Sequence, residues 1–209
     1  AVSPVFSFMV ILGIAYAVLG RKLPDPFMHA GFSFTQILDA LFLGTYGLWG
    51  VIIRVMSTDI AVFIIFGAFL VKTGGARAFM NLAILLTGRA VGGPAKIVIV
   101  SSGLFGMISG AATANVAVTG TFTIPLMKRL GYRPEFAAGV EAAASAGGQI
   151  LPPVMGAGAF VMAEILGIPY RDVIIAAAFP AVLYYICLFF GVHFMSRRQN
   201  HKPLPPSEI

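Results

Sequence analysis

IVIVSSGLFGMISGAATANVAVTGTFTIPLM, Ile97–Met127, is a run of 31 residues without a charge, bounded by Lys96 and Lys128. A bilayer core about 30 Å thick takes about 20 helical residues to cross, so the run is too long for one span and too short for two. Arg89 and Lys96 precede it, and Lys128, Arg129 and Arg133 follow. Under the positive-inside rule both ends face the cytoplasm. Its middle, Ser109-Gly110-Ala111-Ala112-Thr113-Ala114-Asn115, is small and polar. A helix that enters from the cytoplasm, turns at depth and returns satisfies all three observations. Such a re-entrant hairpin is tolerated only where its tip is buried in protein or lines a watery cavity. The alternative is one long tilted helix with a small-residue packing face, since Gly, Ala, Ser and Thr also mediate helix contacts in membranes.

Downstream, Phe136–Ile168 holds 33 residues with two acids, Glu141 and Glu164. As one straight helix it would run to roughly 50 Å, well beyond the membrane. Its centre reads Gly147-Gly148-Gln149-Ile150-Leu151-Pro152-Pro153. Paired Gly lowers helix propensity, and paired Pro removes two N–H donors and clashes with the preceding turn. An unwound loop is therefore expected there in preference to a plain Pro kink. Gly167–Asp172 reads as a short extracytoplasmic turn, Val173–Met195 as a span containing Pro180, and Arg197, Arg198 and Lys202 as its cytoplasmic end. The Pro-rich tail Pro203–Ile209 reads as a linker.

Upstream, Pro4–Leu19 is an apolar run ending at Arg21 and Lys22, without the basic start of a signal peptide, and reads as the tail of an earlier span. Phe34–Gly50 is amphipathic, with Tyr46 and Trp49 near its end; it either lies in the interface or begins the next span. Ile60–Val71 and Ala76–Thr87 are further apolar helical runs, the second stopped by Gly92-Gly93-Pro94. With 58% hydrophobic and 11% charged residues, the chain has too few polar groups to cover a soluble domain, which carries about 25% charged. The net charge of +6 is spread singly or in pairs between apolar stretches, which excludes a phosphate-tracking patch and a nucleic-acid partner. The fold class is therefore all-α and polytopic in a membrane.

A broken helix offers carbonyl dipoles at the end of one half and N–H groups at the start of the other, suited to a desolvated cation and an anionic substrate respectively. Ser109, Thr113, Asn115 and Gln149 supply side-chain oxygens, and Gly110, Gly147 and Gly148 let backbone oxygens approach. No carboxylate lies in either breakpoint, which leans towards sodium rather than a proton relay. Glu141, about two turns inside its helix, reads first as a partner for Lys or Arg or as a cavity-facing residue, although intramembrane acids are functional candidates. Glu164 beside Arg171 and His193 near the last basic cluster read as interfacial, Asp59 and Arg54 as a surface pair, and Cys187 as a packing residue. No HExxH, CxxC, GxSxG or phosphate-loop pattern appears, so catalysis has no support.

Gly103–Arg133, GLFGMISGAATANVAVTGTFTIPLMKRLGYR, resembles the large membrane subunit of TRAP (tripartite ATP-independent periplasmic) transporters. Glu141–Tyr170 continues the likeness, and Phe66–Gly75 and Gly88–Gly106 extend it to about Gly44–Arg198. The form ANVAVTGTFTIPLMKRLGYRPEF, Ala114–Phe136, looks most like fused permeases that work with TAXI-type periplasmic binding proteins. The resemblance implies an elevator-type, sodium-coupled importer of organic anions such as carboxylates or acidic amino acids. It implies a bacterial or archaeal inner-membrane location, a periplasmic binding protein, a small membrane subunit or fused equivalent, and no cofactor beyond sodium. It implies a sodium site from Ser109, Gly110, Thr113, Asn115, Gly147, Gly148 and Gln149. Substrate contacts would come from Ala111, Thr113, Asn115, Gln149, Pro152 and Pro153.

Residues 1–33 would then close a small-subunit or fusion-linker region. Residues 34–196 would form one repeat, with a hairpin over 94–129, a broken helix over 134–168 and a last span over 173–195, followed by a linker tail over 197–209. The family has two inverted repeats, and no second SGAATAN-like or GGQILPP-like segment follows here, so a C-terminal repeat is expected to be missing. A non-transporting membrane remnant or scaffold and a pore-forming subunit are the competing readings. The pore is disfavoured because re-entrant loops in channels line symmetric filters.

Overall fold

In lipid every backbone N–H and C=O must be satisfied within the segment, which leaves the helix as the solution for apolar runs such as these. The computed structural model describes residues 4–44, 47–201 and 203–205; it is all-α, with no strand among the described residues. Three helical stretches, Pro4–Lys22, Val51–Lys72 and Tyr170–Arg198, are long and apolar enough to cross a membrane. Large apolar side chains on them stand fully outward, as at Ile65, 69% exposed, and Phe179, 72% exposed, a pattern that only a lipid solvent stabilises. The protein is a multi-pass membrane protein. Tyr46, the Asp59 side chain expected to pair with Arg54, Lys202 and the end of the tail lie outside the described residues.

The chain divides into two units, residues 1–54 and 55–209. In the first, helix α1 (Pro4–Leu19) leads into a single 3₁₀ turn, and the connector folds back on it. There His29 Nε2 lies 3.0 Å from the Tyr16 carbonyl oxygen, and the Phe32 N–H donates to the Ala17 carbonyl at 3.0 Å. Helix α2 (Phe34–Leu38) opens on a capping box between Ser33 and Gln36 and ends in a π-helical turn, Asp39–Leu43. Ten helical residues reach only about 15 Å, so this segment does not span by itself. Helix α3 (Val51–Val55) lies at the division between the units.

The second unit contains a π-helical turn, Met56–Ile60, then helices α4 (Ala61–Lys72) and α5 (Gly75–Thr87). It continues through α6 (Gly93–Ser109), α7 (Ala112–Arg129), α8 (Pro134–Gly148), α9 (Ala157–Leu166) and α10 (Tyr170–Arg198). Helix α6 is its axis, buried at 12 of 17 positions and packed against α4, α5, α7, α8 and α10. Val98, Ile99, Met127, Val140 and Val192 form the central apolar cluster. At the start of α6, Lys96 Nζ sits 2.9 Å from His193 Nδ1 and 4.7 Å from the centre of the Phe189 ring, tying α6 to α10.

Two boundaries and the setting of one side chain differ from expectation. Helix α8 continues through Gly147 and Gly148, and the unwound segment is 149–156. The paired glycines stay helical because neighbouring helices press on them, while Pro152-Pro153 has no N–H to continue the ladder. Helix α10 starts at Tyr170 instead of Val173: Gly167 closes α9 and Pro169 caps α10, with Asp172 in its first turn where the helix dipole favours an acid. Cys187, read as a packing residue, is exposed on α10.

After α10 the chain returns across the α5–α6 and α7–α8 turns. The His201 ring stacks on Tyr132 with centroids 3.7 Å apart, and the Leu204 N–H donates to the Gly88 carbonyl at 2.9 Å. Burial lowers His201 below the usual histidine range, with a backbone hydrogen bond to Gly131 opposing it. A histidine depressed in the folded state contributes stability that is complete above its unfolded value of about 6.5 and is lost as pH falls. Hydrogen exchange at the Leu204 amide, corrected for intrinsic rate, is expected to speed up between about pH 7.5 and about pH 5.5. Equal protection at both would show that His201 does not govern docking.

Candidate functional site

The turn between α6 and α7 is closed by Gly110, at φ +61°, whose N–H donates to the Gly106 carbonyl at 2.9 Å. Ala111 is extended, and α7 starts with the Asn115 N–H bonded to the Ala111 carbonyl at 2.9 Å. A Cβ on Gly110 would lie 2.2 Å from the Met155 carbonyl oxygen, so conformation and space both require glycine. The hairpin tip thus rests on the unwound segment after α8.

That segment is fastened from several sides. The Val154 N–H donates to the Met107 carbonyl at 3.2 Å, and the Gly156 N–H donates to the Gln149 carbonyl at 2.7 Å. The Tyr170 hydroxyl donates to the Val154 and Pro153 carbonyls. Met155 adopts φ +59°, a left-handed conformation that costs a non-glycine residue energy and persists only where surroundings enforce it. One turn below the tip Gly106 and Gly148 meet backbone to backbone: a Cβ on Gly106 would fall 2.5 Å from the Gly148 Cα. The hydroxyl of Ser109, the residue before the Gly110 turn, is buried without a hydrogen-bond partner. A buried unsatisfied oxygen beside irregular backbone has the donor chemistry that a hard cation uses.

Deeper in the bundle lies a second polar cluster. Glu141 is fully buried and receives four hydroxyls: Ser102 Oγ and Ser145 Oγ at 3.2 Å and Thr119 Oγ1 at 2.5 Å from Oε1, and Thr123 Oγ1 at 2.5 Å from Oε2. Asn115, also fully buried, donates from Nδ2 to the Ser102 carbonyl at 2.8 Å, and its Oδ1 lies 3.3 Å from Thr119 Oγ1. The expected Lys or Arg partner for Glu141 gives way to hydroxyls. Among the described residues no cation lies within ion-pair distance of it, because the helices around its depth supply only small and apolar residues.

The structure gathers some of the predicted site and disperses the rest. Gly110 meets Met155 and Gly156 at the tip, and one turn below it Gly106 meets Gly148 with the Asn115 amide against both; Ser109 precedes the turn, its Cα facing Gly67 of α4. Thr113 is exposed on the first turn of α7. Gly147 is turned to α10, where a Cβ would meet the Tyr184 ring at 2.4 Å, so its lack of a side chain serves helix packing. Gln149 is exposed and lines a cleft of about 520 Å³ with α9 and α10, to which no hairpin residue contributes. Ala111 sits at the turn, and Pro152 and Pro153 in the unwound segment. Sequence reasoning missed Gly106, Ser102, Thr119, Thr123 and Ser145. The signal was present: Asn115, Thr119 and Thr123 repeat every four residues, and Ser145 follows Glu141 by four, which places each set on one helix face.

Residues 2–208 match the family described as the DctM component of tripartite ATP-independent periplasmic transporters. An isethionate TRAP transporter permease protein, DctMQ, of Oleidesulfovibrio alaskensis is 41% identical over 44% of this chain and 14% of its own length. A C4-dicarboxylate TRAP transporter large permease protein of Pseudomonas aeruginosa is 28% identical over 68% of this chain and 33% of its own. One from Vibrio cholerae is 26% identical over 92% of this chain and 41% of its own. The chain thus spans less than half the length of these relatives.

Proposed function

The chain belongs to the DctM family of tripartite ATP-independent periplasmic transporters, a transporter family and not an enzyme family, and from that premise we propose a sodium-coupled importer of organic anions. TRAP large permeases work with a substrate-binding protein and a small membrane subunit. In the proposed mechanism the α6–α7 hairpin is re-entrant, its tip and the 149–156 segment form one sodium site, and the substrate anion binds beside them. The assembly sits in the inner membrane and includes a second repeat that supplies the other half of the substrate site. It moves as an elevator and takes cargo from a TAXI-type binding protein.

The observation that carries this reading is the tip-to-break junction. A helix turn and a helix interruption meet there, and the hydroxyl of Ser109, the residue before the turn, is buried without a partner. Sodium would be held by that hydroxyl and by neighbouring backbone oxygens, with Asn115 positioning the hairpin behind them. The anion class follows from the chemistry shared by isethionate and C4-dicarboxylates, the cargoes in the relatives' names.

The test is uptake into proteoliposomes by the full-length permease with its binding protein and small subunit, across a panel of labelled sulfonates and dicarboxylates. Uptake is expected to require a sodium gradient. Ser109→Ala should raise the half-saturating sodium concentration about tenfold, as loss of one bond to a charged partner costs roughly 1.5 kcal/mol or more. Full uptake without sodium would remove the coupling claim, and unchanged sodium dependence in the variant would remove the site.

A further inference from the structure

We infer that the cleft at the basic end of the second unit holds the phosphate of an anionic phospholipid. The cleft, of about 1060 Å³, lies between the end of α5, the α7–α8 turn and the strap that follows α10. The inference is independent of the sodium reading, which concerns the hairpin tip at the other end of α6.

The lining is amphipathic. Arg89, Gln199, Asn200 and His201 give it one guanidinium, two amides and an imidazole, and no acid is among its described residues. Leu85, Leu130 and Leu204 supply the apolar side. A soluble phosphate needs only the donors. A molecule with a charged head and a hydrocarbon tail needs both. The planar fork of a guanidinium suits a phosphate, and amide N–H groups add donors beside it.

The fold gives the tail its place. Leu82, Leu85 and Leu86 stand outward on α5, at 44%, 68% and 66% exposure, on a surface that only lipid covers favourably. Leu85 also lines the cleft, and Arg89 follows it by four residues, just past the end of α5. An acyl chain lying along α5 therefore brings its phosphate to Arg89. The surrounding turns are basic: Lys128 and Arg129 close α7, and Arg197 and Arg198 close α10. Among the described residues of 85–89, 128–135 and 196–205 the one acid is Glu135, paired with Arg133 at 3.4 Å. The positive-inside rule assigns this end to the cytoplasm, the side on which basic pockets between helices take anionic headgroups.

A lipid held there joins segments far apart in sequence, since Arg89 follows α5 while Gln199 and Asn200 follow α10. The strap is already fastened by the Leu204 N–H on the Gly88 carbonyl and by the His201 ring on Tyr132. A phosphate shared by Arg89 and the two amides adds a link across the cleft and slows the opening of the strap.

Native mass spectrometry of the full chain, released from membranes of equal phosphatidylglycerol and phosphatidylcholine with the same acyl chains, tests this. The expected result is one retained lipid, with phosphatidylglycerol favoured at least tenfold. Arg89→Gln should cut that preference about fivefold, the worth of one cation at an anionic surface. Arg133→Gln removes a charge outside the cleft and should leave it unchanged. At fixed pH, phosphatidylglycerol should also slow hydrogen exchange at the Leu204 amide, and glycerol 3-phosphate, which lacks the tails, should not. The wild-type lipid competition stands without any variant. Equal retention of the two lipids, equal loss of preference in both variants, an unchanged preference in Arg89→Gln, or protection of Leu204 by glycerol 3-phosphate alone would overturn the inference.

Discussion

Gly106→Ala is expected to destabilise the protein by about 3 kcal/mol or more, at or above the usual cost of overpacking a core. The added methyl would stand 2.5 Å from the Gly148 Cα and 2.8 Å from Asn115 Nδ2. Neither obstacle can yield cheaply: one is helix backbone, and the other is an amide already bonded to the Ser102 carbonyl. Separating α6 from α8 to make room would also pull the Val154 N–H off the Met107 carbonyl and loosen the seat of the hairpin tip. For a chain of about 200 residues that cost lowers the melting midpoint by roughly 6–12 °C. Gly139→Ala and Gly158→Ala are the controls, because a Cβ at either meets nothing within 4 Å. Each should be neutral or stabilising by about 0.5–1 kcal/mol, the helical gain of alanine over glycine. Thermal unfolding in detergent, followed by loss of the monodisperse peak, measures all three. A Gly106→Ala protein that melts with the controls would mean that the hairpin and α8 do not touch backbone to backbone.

The contrast between Gly106 and Gly139 shows what the sequence could and could not disclose. Length and charge located the hairpin, because a 31-residue uncharged run with basic ends admits few arrangements in a bilayer. The Pro152-Pro153 pair located the interruption after α8, because missing N–H groups act locally. Partnership is different. Gly147 and Gly148 are neighbours in sequence, yet one faces the Tyr184 ring and the other faces Gly106, a difference of one helical step that only the packing of α6 and α10 fixes. Gln149 and Thr113 offer side-chain oxygens, but both are exposed, Gln149 at the start of the unwound segment and Thr113 on the first turn of α7. Glu141 was visible as an intramembrane acid. Its cage came from four residues on three helices, and the four-residue spacing of Asn115, Thr119 and Thr123 acquires meaning only once α7 is known to lie on α8.

Asn115→Asp should be more damaging at neutral pH than Asn115→Ala, although aspartate is nearly the same shape. The Asn115 amide donates to the Ser102 carbonyl at 2.8 Å, and an aspartate oxygen there would be one acceptor pressed on another. Alanine removes the bond and leaves a small void, at about 2–3 kcal/mol. Aspartate loses the same bond and adds a buried charge with no cation near it, at about 3–5 kcal/mol. The new charge would also compete with Glu141 for Thr119 Oγ1, which lies 3.3 Å from Asn115 Oδ1 and 2.5 Å from Glu141 Oε1. Acid discriminates between the two variants. A proton on the aspartate oxygen facing Ser102 restores a donor, so the deficit of Asn115→Asp should shrink as pH falls while that of Asn115→Ala stays level. Melting midpoints of both variants across an acid-to-neutral series, each referred to wild type at the same pH, give the comparison. If aspartate is tolerated at neutral pH as well as alanine, the Asn115 amide is not the donor that joins the two limbs of the hairpin.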